Sequence, residues 1–119
     1  MNIEESYRYD LPEKIRKLLE EYRRAIIKVF KQQEIRIILY GSYARGDFHF
    51  DSDVDILVLA DMESEEVSCY ADKLYDVTYD FETRYDVEIN PIVQSTKIYE
   101  QWKNTYPLFL NVEKEGIVL

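Results

Sequence analysis

Apolar positions along the chain fall into two periods, one near 3.6 and one near 2, and the change between them marks out the elements. Leu11, Ile15, Leu18, Leu19, Tyr22, Ile26, Val29 and Phe30 recur at helical spacing, the pattern of an amphipathic helix with one buried face. Asp10-Leu11-Pro12-Glu13 supplies its start, with a capping carboxylate, an early proline and a glutamate three positions after the cap. Arg23, Arg24 and Lys28 belong to the opposite, solvated face. Residues 1–9 carry no usable periodicity. A first strand is predicted near Ile35–Tyr40, and a second begins at Val54, where Ile56 and Val58 alternate with Leu57 and Leu59. Apolar groups on both faces make the second a central strand. A second helix, capped by Ser64, carries Val67, Tyr70, Ala71, Leu74, Val77, Thr78, Phe81 and Tyr85 on one face. A third strand runs from about Val87 to Val93, and Pro91 assigns part of it to an edge. Ser95 caps a short helix with Ile98, Tyr99 and Trp102, Asn104-Thr105-Tyr106-Pro107 breaks it, and Pro107–Glu115 forms a last helix with Gly116 as C-cap.

The segment between the first two strands departs from both periods. Gly41-Ser42 is followed by ten residues and then by Asp53-Val54-Asp55. On a strand, residues i and i+2 share a side, so Asp53 and Asp55 project together. Two carboxylates that close repel unless a cation lies between them, and Mg²⁺ takes one or two carboxylates plus substrate phosphates. Gly41 lets the backbone turn and approach a ligand closely. Ser42 offers a hydroxyl, a short helix begun there aims free N–H groups at an anion, and Arg45 adds a positive charge, with Gly46 releasing the chain. A phosphate cradle facing a metal site is the equipment of phosphoryl or nucleotidyl transfer.

Other motif readings fail on particular residues. The Gly41–Gly46 spacing of a P-loop is followed by Asp47-Phe48, where Lys and Ser or Thr are required. Asp51-Ser52-Asp53-Val54-Asp55 opens like an EF-hand loop, but Ile56 stands at the glycine position and Met62 at the terminal glutamate. No Gly-x-Gly-x-x-Gly is present. Asp47 and Asp51 read as solvated loop residues, with Asp47 or Ser52 shaping the turn. His49, the one histidine, is flanked by Phe48 and Phe50 and reads as surface or lid packing. Tyrosines number 11, mostly at positions the helical pattern already accounts for; Tyr43, inside the loop, is placed to stack beside a ligand.

With 119 residues, 46% of them apolar, the chain suits a single domain over 1–119 with a substantial core. No run has the length to span a membrane, and the acidic start lacks the regions of a signal peptide. The one cysteine, Cys69, reads as helix packing. These features lead to a cytoplasmic expectation. A net charge of −9 argues against a broad nucleic-acid surface, which depends on many lysines and arginines, and suits a basic protein partner.

Gly41-Ser42-Tyr43-Ala44-Arg45-Gly46 with Ser52-Asp53-Val54-Asp55-Ile56-Leu57-Val58 resembles the signature of the DNA polymerase β-like nucleotidyltransferase superfamily. Within it, the minimal nucleotidyltransferases are the nearest in kind. The resemblance extends loosely through Asp86–Val93 and the terminal 111–117 stretch. It implies an α/β fold, a small mixed sheet of three or four strands with helices mainly on one face. It implies transfer of AMP from ATP, with a two-metal Mg²⁺ site held by Asp53, Asp55 and a third acid on the third strand. Glu88, an acid within an apolar run, is preferred for that place and as a base; Asp86 is the runner-up. Gly41, Ser42 and Arg45 would bind the nucleotide phosphates. The resemblance also implies a partner, a HEPN-type ribonuclease toxin modified on a tyrosine and neutralised, with the two proteins forming a hetero-oligomer or this chain a homo-oligomer. Two other readings fit the same residues: an antitoxin or scaffold acting by binding alone, and a transferase with a small-molecule or nucleic-acid acceptor.

Overall fold

A computed structural model describes residues 11–119. Its elements are α1 (Glu13–Phe30), β1 (Ile35–Tyr40), α2 (Ser42–Arg45), β2 (Val54–Ala60), α3 (Ser64–Tyr85), β3 (Ile89–Ser95), α4 (Thr96–Trp102), α5 (Pro107–Glu115) and β4 (Ile117–Val118). The four strands form one mixed sheet in the order β3-β2-β1-β4. β1 is antiparallel to β2 and β4, whereas β2 and β3 are parallel. The parallel pair needs a crossover, and α3 supplies it.

Alternation along β1 and β2 divides the core in two. Ile37, Leu39, Val54, Ile56, Val58 and Ala60 face the long helices, meeting Leu18, Leu19, Tyr22 and Ile26 of α1 and Leu74 and Phe81 of α3. Ile38, Tyr40, Leu57 and Leu59 face the other way, onto Tyr99 of α4 and Phe109 and Val112 of α5. Val54 and the run from Ile56 to Ala60 have no exposed surface, as expected of a strand covered on both sides. The bulk of the helical mass lies on one face, with two short helices on the other.

One buried hydroxyl pair joins α1 to α3. Tyr22 Oη lies 2.5 Å from Thr78 Oγ1, which itself donates to the Leu74 carbonyl at 2.8 Å. With its own hydrogen committed, the threonine accepts and the tyrosine donates. Tyr22→Phe is expected to cost about 1 kcal/mol in chemical denaturation, the net worth of a neutral hydrogen bond, because Thr78 keeps its carbonyl partner. A loss above about 3 kcal/mol would mean that the hydroxyl does more than bond Thr78.

Several element ends differ from expectation. α1 begins at Glu13 with Pro12 in the cap position and no side-chain cap; the expected cap, Asp10, and residues 1–9 lie outside the described residues. α3 is capped by Glu63, not Ser64: the Glu63 side chain accepts from the backbone of Glu66 while the Glu66 side chain accepts from that of Glu63. A reciprocal capping box outweighs the intrinsic preference for serine. Ser95 occupies the cap position of α4 without a side-chain bond. Gly116 ends α5 with ordinary extended dihedrals, φ −64°; a Cβ there would stand 2.5 Å from the Val112 carbonyl and 2.8 Å from Ile38 Cγ2. That glycine serves close packing. β4, which the hydrophobic pattern did not single out, follows at once and pairs with β1 through Ile38 and Leu39. Cys69 is exposed on α3, so its expected packing role is corrected. Arg23, Arg24 and Lys28 are exposed as expected. β3 lies at a sheet edge, where Pro91 lacks no ladder partner on its free side.

Candidate active site

β1 ends at Tyr40 and β2 begins at Val54, and the antiparallel register places Tyr40 opposite Asp55. The loop after β1 is therefore returned to the start of β2. Gly41 adopts φ +81° and Gly46 φ +88°, bracketing the single-turn α2. His49 N donates to Ser52 Oγ at 2.7 Å and Ser52 N to the His49 carbonyl at 3.1 Å. Ser52 thus closes the turn that leads into Asp53, the shaping role considered for it.

A cavity of about 340 Å³ opens between the loop and the strand, walled by Gly41, Ser42 and Arg45 on one side and by Ser52, Asp53 and Asp55 on the other. Tyr40, Leu108, Asn111 and Glu115 complete it. Five of the six sequence-selected residues therefore border one space. The sixth, Glu88, does not. α3 ends at Tyr85, its cap Asp86 takes a left-handed conformation at φ +53°, and β3 starts only at Ile89. The third strand was expected from about Val87, with Asp86 and Glu88 on one side of it; that placement is corrected. Glu88 is exposed, and its backbone carbonyl accepts Val54 N–H at 2.8 Å. Its side chain meets Asp53, whose charge and hydrogen bond raise the Glu88 pKa above the usual carboxylate range.

The residue that stands beside Asp55 on β3 is Asn90. Its Nδ2 donates to Asp53 Oδ2 at 3.1 Å and to Asp55 Oδ1 at 3.3 Å, holding the pair together. Burial raises the Asp55 pKa, against the lowering hydrogen bond from Asn90, and Asp53 and Glu115 push it further up while Arg45 opposes them. The adjacent Tyr40 phenol is pushed up to about 12 by burial and then by Asp55 and Glu115. These shifts describe a partly dry site with an excess of negative charge.

Sequence reasoning missed Asn90 and Glu115. Glu115 Oε2 accepts Gly41 N–H at 2.5 Å and Arg45 Nη1 at 3.0 Å. A glutamate in the last turn of a helix opposes the helix dipole, and that was the available signal. Arg45 also pairs with Asp47 at 3.1 Å. Tyr43 is turned away from the cavity: it is 5% exposed and stacks on Phe48 at 4.8 Å, within the larger core. Its expected place beside a ligand is therefore corrected, since the short helix carries its ring inward. His49 and Phe50 are exposed.

The donor set suits one hard divalent cation. Asp53 and Asp55 converge on a single point, now bridged by the Asn90 amide, and all the groups available there are oxygen ligands or an amide that can turn its oxygen inward. Among the described residues, no three His, Cys, Asp or Glu side chains assemble as a metal site. The three-acid set Asp53, Asp55 and Glu88 is not gathered around one point.

A family model described as "Nucleotidyltransferase domain" matches residues 15–109. The chain is 35% identical over 103 residues to "Putative protein adenylyltransferase MJ0604" of Methanocaldococcus jannaschii, covering 87% of this chain and 95% of that protein. It is 32% identical over 81 residues to "Putative protein adenylyltransferase MJ0141" of the same organism, covering 68% and 80% respectively. Its fold is similar to a chain solved as "Crystal structure of the toxin-antitoxin with AMP-PNP", with a TM-score of 0.50 and 18% identity over 83% of this chain and 70% of that one.

Proposed function

The chain belongs to the nucleotidyltransferase domain family, and from that premise we propose that it transfers AMP from ATP to a tyrosine hydroxyl of a partner toxin, releasing pyrophosphate and acting as antitoxin. The observation that carries this reading is the single cavity with Asp53 and Asp55 on one wall and Gly41, Ser42 and Arg45 on the other. A protein acceptor accords with the names of its archaeal relatives, and a toxin partner with the fold neighbour solved as a toxin–antitoxin with AMP-PNP. The partner class in this proposal, a HEPN-type ribonuclease, is what the resemblance of the motif implies. A net charge of −9 disfavours a polynucleotide acceptor.

The roles follow from the donors. Asp53 and Asp55 would hold Mg²⁺, which supplies charge neutralisation at the phosphates when bound. Gly41 N–H, the Ser42 hydroxyl and the Arg45 guanidinium bind and orient the β- and γ-phosphates. Asn90 keeps the two aspartates side by side. The acceptor oxygen forms a bond to the α-phosphorus as the bond to the pyrophosphate oxygen breaks. The phenolic proton leaves to a carboxylate, for which Glu88, beside Asp53 and with a raised pKa, is the nominated base. Positioning and electrostatics account for most of the rate in such chemistry.

We read residues 1–119 as one minimal catalytic domain working in the cytoplasm as a hetero-oligomer with its partner. Among the described residues no helix is long and apolar enough to cross a membrane. A second reading is neutralisation of the partner by binding alone, for which the placement of Glu88 outside the cavity that Asp53 and Asp55 border is the motivating observation.

Intact-mass measurement of both proteins after incubation with Mg²⁺–ATP separates the two. The transfer reading expects a gain of one or more AMP units on the partner, mapping to tyrosine. Neutralisation with no mass gain on any component supports binding alone, and labelling of this chain or of added RNA would sink the protein-acceptor claim.

A further inference from the structure

Glu115 occupies donors that the nucleotide needs. Its Oε2 accepts Gly41 N–H at 2.5 Å and Arg45 Nη1 at 3.0 Å, two of the three groups assigned above to the phosphates. Its side chain is 14% exposed, so this is an enclosed contact and not a loose surface pair. An anionic oxygen on a backbone N–H and a guanidinium is chemically what a phosphate oxygen would be there. Two anionic groups cannot share that position.

We propose that Glu115 is an internal competitor for the phosphate site, so that the nucleotide-free chain holds the site closed and nucleotide entry displaces this carboxylate. The inference rests on the nucleotide-transfer reading and adds a condition to it. Glu115 is poorly placed apart from these two bonds. It stands in the last turn of α5, where the helix dipole opposes negative charge. Asp53 and Asp55 border the same cavity, and its charge contributes to the raised Asp55 pKa. Gly41 and Arg45 therefore hold a group that its other neighbours repel, and a stronger anion accompanied by a cation can replace it. Beside it, Gly116 N donates to the Val112 carbonyl at 2.8 Å, tying down the backbone. Displacement is a rotation of the Glu115 side chain. Arg45 has Asp47 as a further partner at 3.1 Å.

Calorimetric titration of the full chain with inorganic pyrophosphate and with ATP, each with and without Mg²⁺, tests this. Glu115→Gln and Glu115→Ala are expected to bind pyrophosphate about tenfold more tightly than the unaltered chain, equivalent to about 1.4 kcal/mol. The gain should be largest without Mg²⁺, where the repulsion is unscreened. Equal or weaker binding by both variants, with melting curves showing them folded, overturns the inference. If the unaltered chain and both variants bind neither ligand even with Mg²⁺, the nucleotide-transfer reading falls as well. A second measurement needs no substitution: on titration with pyrophosphate, the Gly41 amide and the Glu115 carboxyl carbon should shift together in NMR spectra with one half-saturation point. Movement of Gly41 alone would show that the carboxylate is not displaced.

Discussion

Asp55→Asn is expected to abolish AMP transfer, with a loss of at least about 10²–10³-fold, the range found when one electrostatic group is removed from a preorganised site. Asp55 borders the cavity opposite Gly41 and shares the Asn90 amide with Asp53. As asparagine it would keep the shape and lose the charge that attracts a divalent cation. The fold should survive. Asp55 is crowded by burial, by Asp53 and by Glu115, so neutralising it relieves repulsion in the nucleotide-free state. Two readouts therefore move in opposite directions. Transfer, followed by intact mass, disappears, while the melting temperature without Mg²⁺ stays level or rises. The stabilisation that Mg²⁺–ATP gives the unaltered chain, about 2.7 kcal/mol at 100-fold excess over Kd, should vanish in the variant. A variant that transfers AMP at near the unaltered rate would remove Asp55 from the metal site. A variant that melts well below the unaltered chain would make its role structural.

What was legible in the sequence depended on the range of the interaction. Periodicity located α1, β1, β2 and α3 because each buries a face through neighbours one turn or two residues apart. Gly41, Ser42, Asp53 and Asp55 were found because the motif lies in one strand–loop–strand unit whose register returns Tyr40 to Asp55. Glu88 was chosen on the assumption that β3 began at about Val87. The left-handed Asp86 and the Val87 N–H bond back to the Glu82 carbonyl delay the strand to Ile89, and the delay makes Asn90 the neighbour of Asp55. Two residues of boundary decided which side chain bridged both aspartates. Glu115 meets Gly41 across 74 positions of sequence, and no local pattern encodes that contact. Tyr43 was misplaced because α2 is a single turn: its rotation, which sequence does not set, turns the ring onto Phe48.

Gly41→Val is expected to remove nucleotide binding altogether and to destabilise the fold, whereas Gly46→Ala should do neither to the same degree. Both glycines have positive φ, +81° and +88°, so any side chain at either is strained, by about 1–3 kcal/mol. Their surroundings differ. A Cβ at Gly46 meets no atom within 4 Å, while one at Gly41 would lie 2.2 Å from Asp55 Oδ2 and 3.1 Å from its Cγ. Valine at position 41 must therefore displace Asp55, tilt the peptide whose N–H bonds Glu115, or do both. Each response disturbs a wall of the cavity: the first separates Asp55 from Asp53 and Asn90, the second re-aims a phosphate donor. Gly46→Ala carries the backbone strain alone and serves as the control for it. Calorimetric titration with Mg²⁺–ATP, beside chemical denaturation, reads both quantities. Binding below detection for Gly41→Val and within about threefold of the unaltered chain for Gly46→Ala, roughly 0.6 kcal/mol, would assign the difference to contact with Asp55. If Gly41→Val bound Mg²⁺–ATP normally, the phosphates would have to be held elsewhere, and the loop after β1 would not be the nucleotide site.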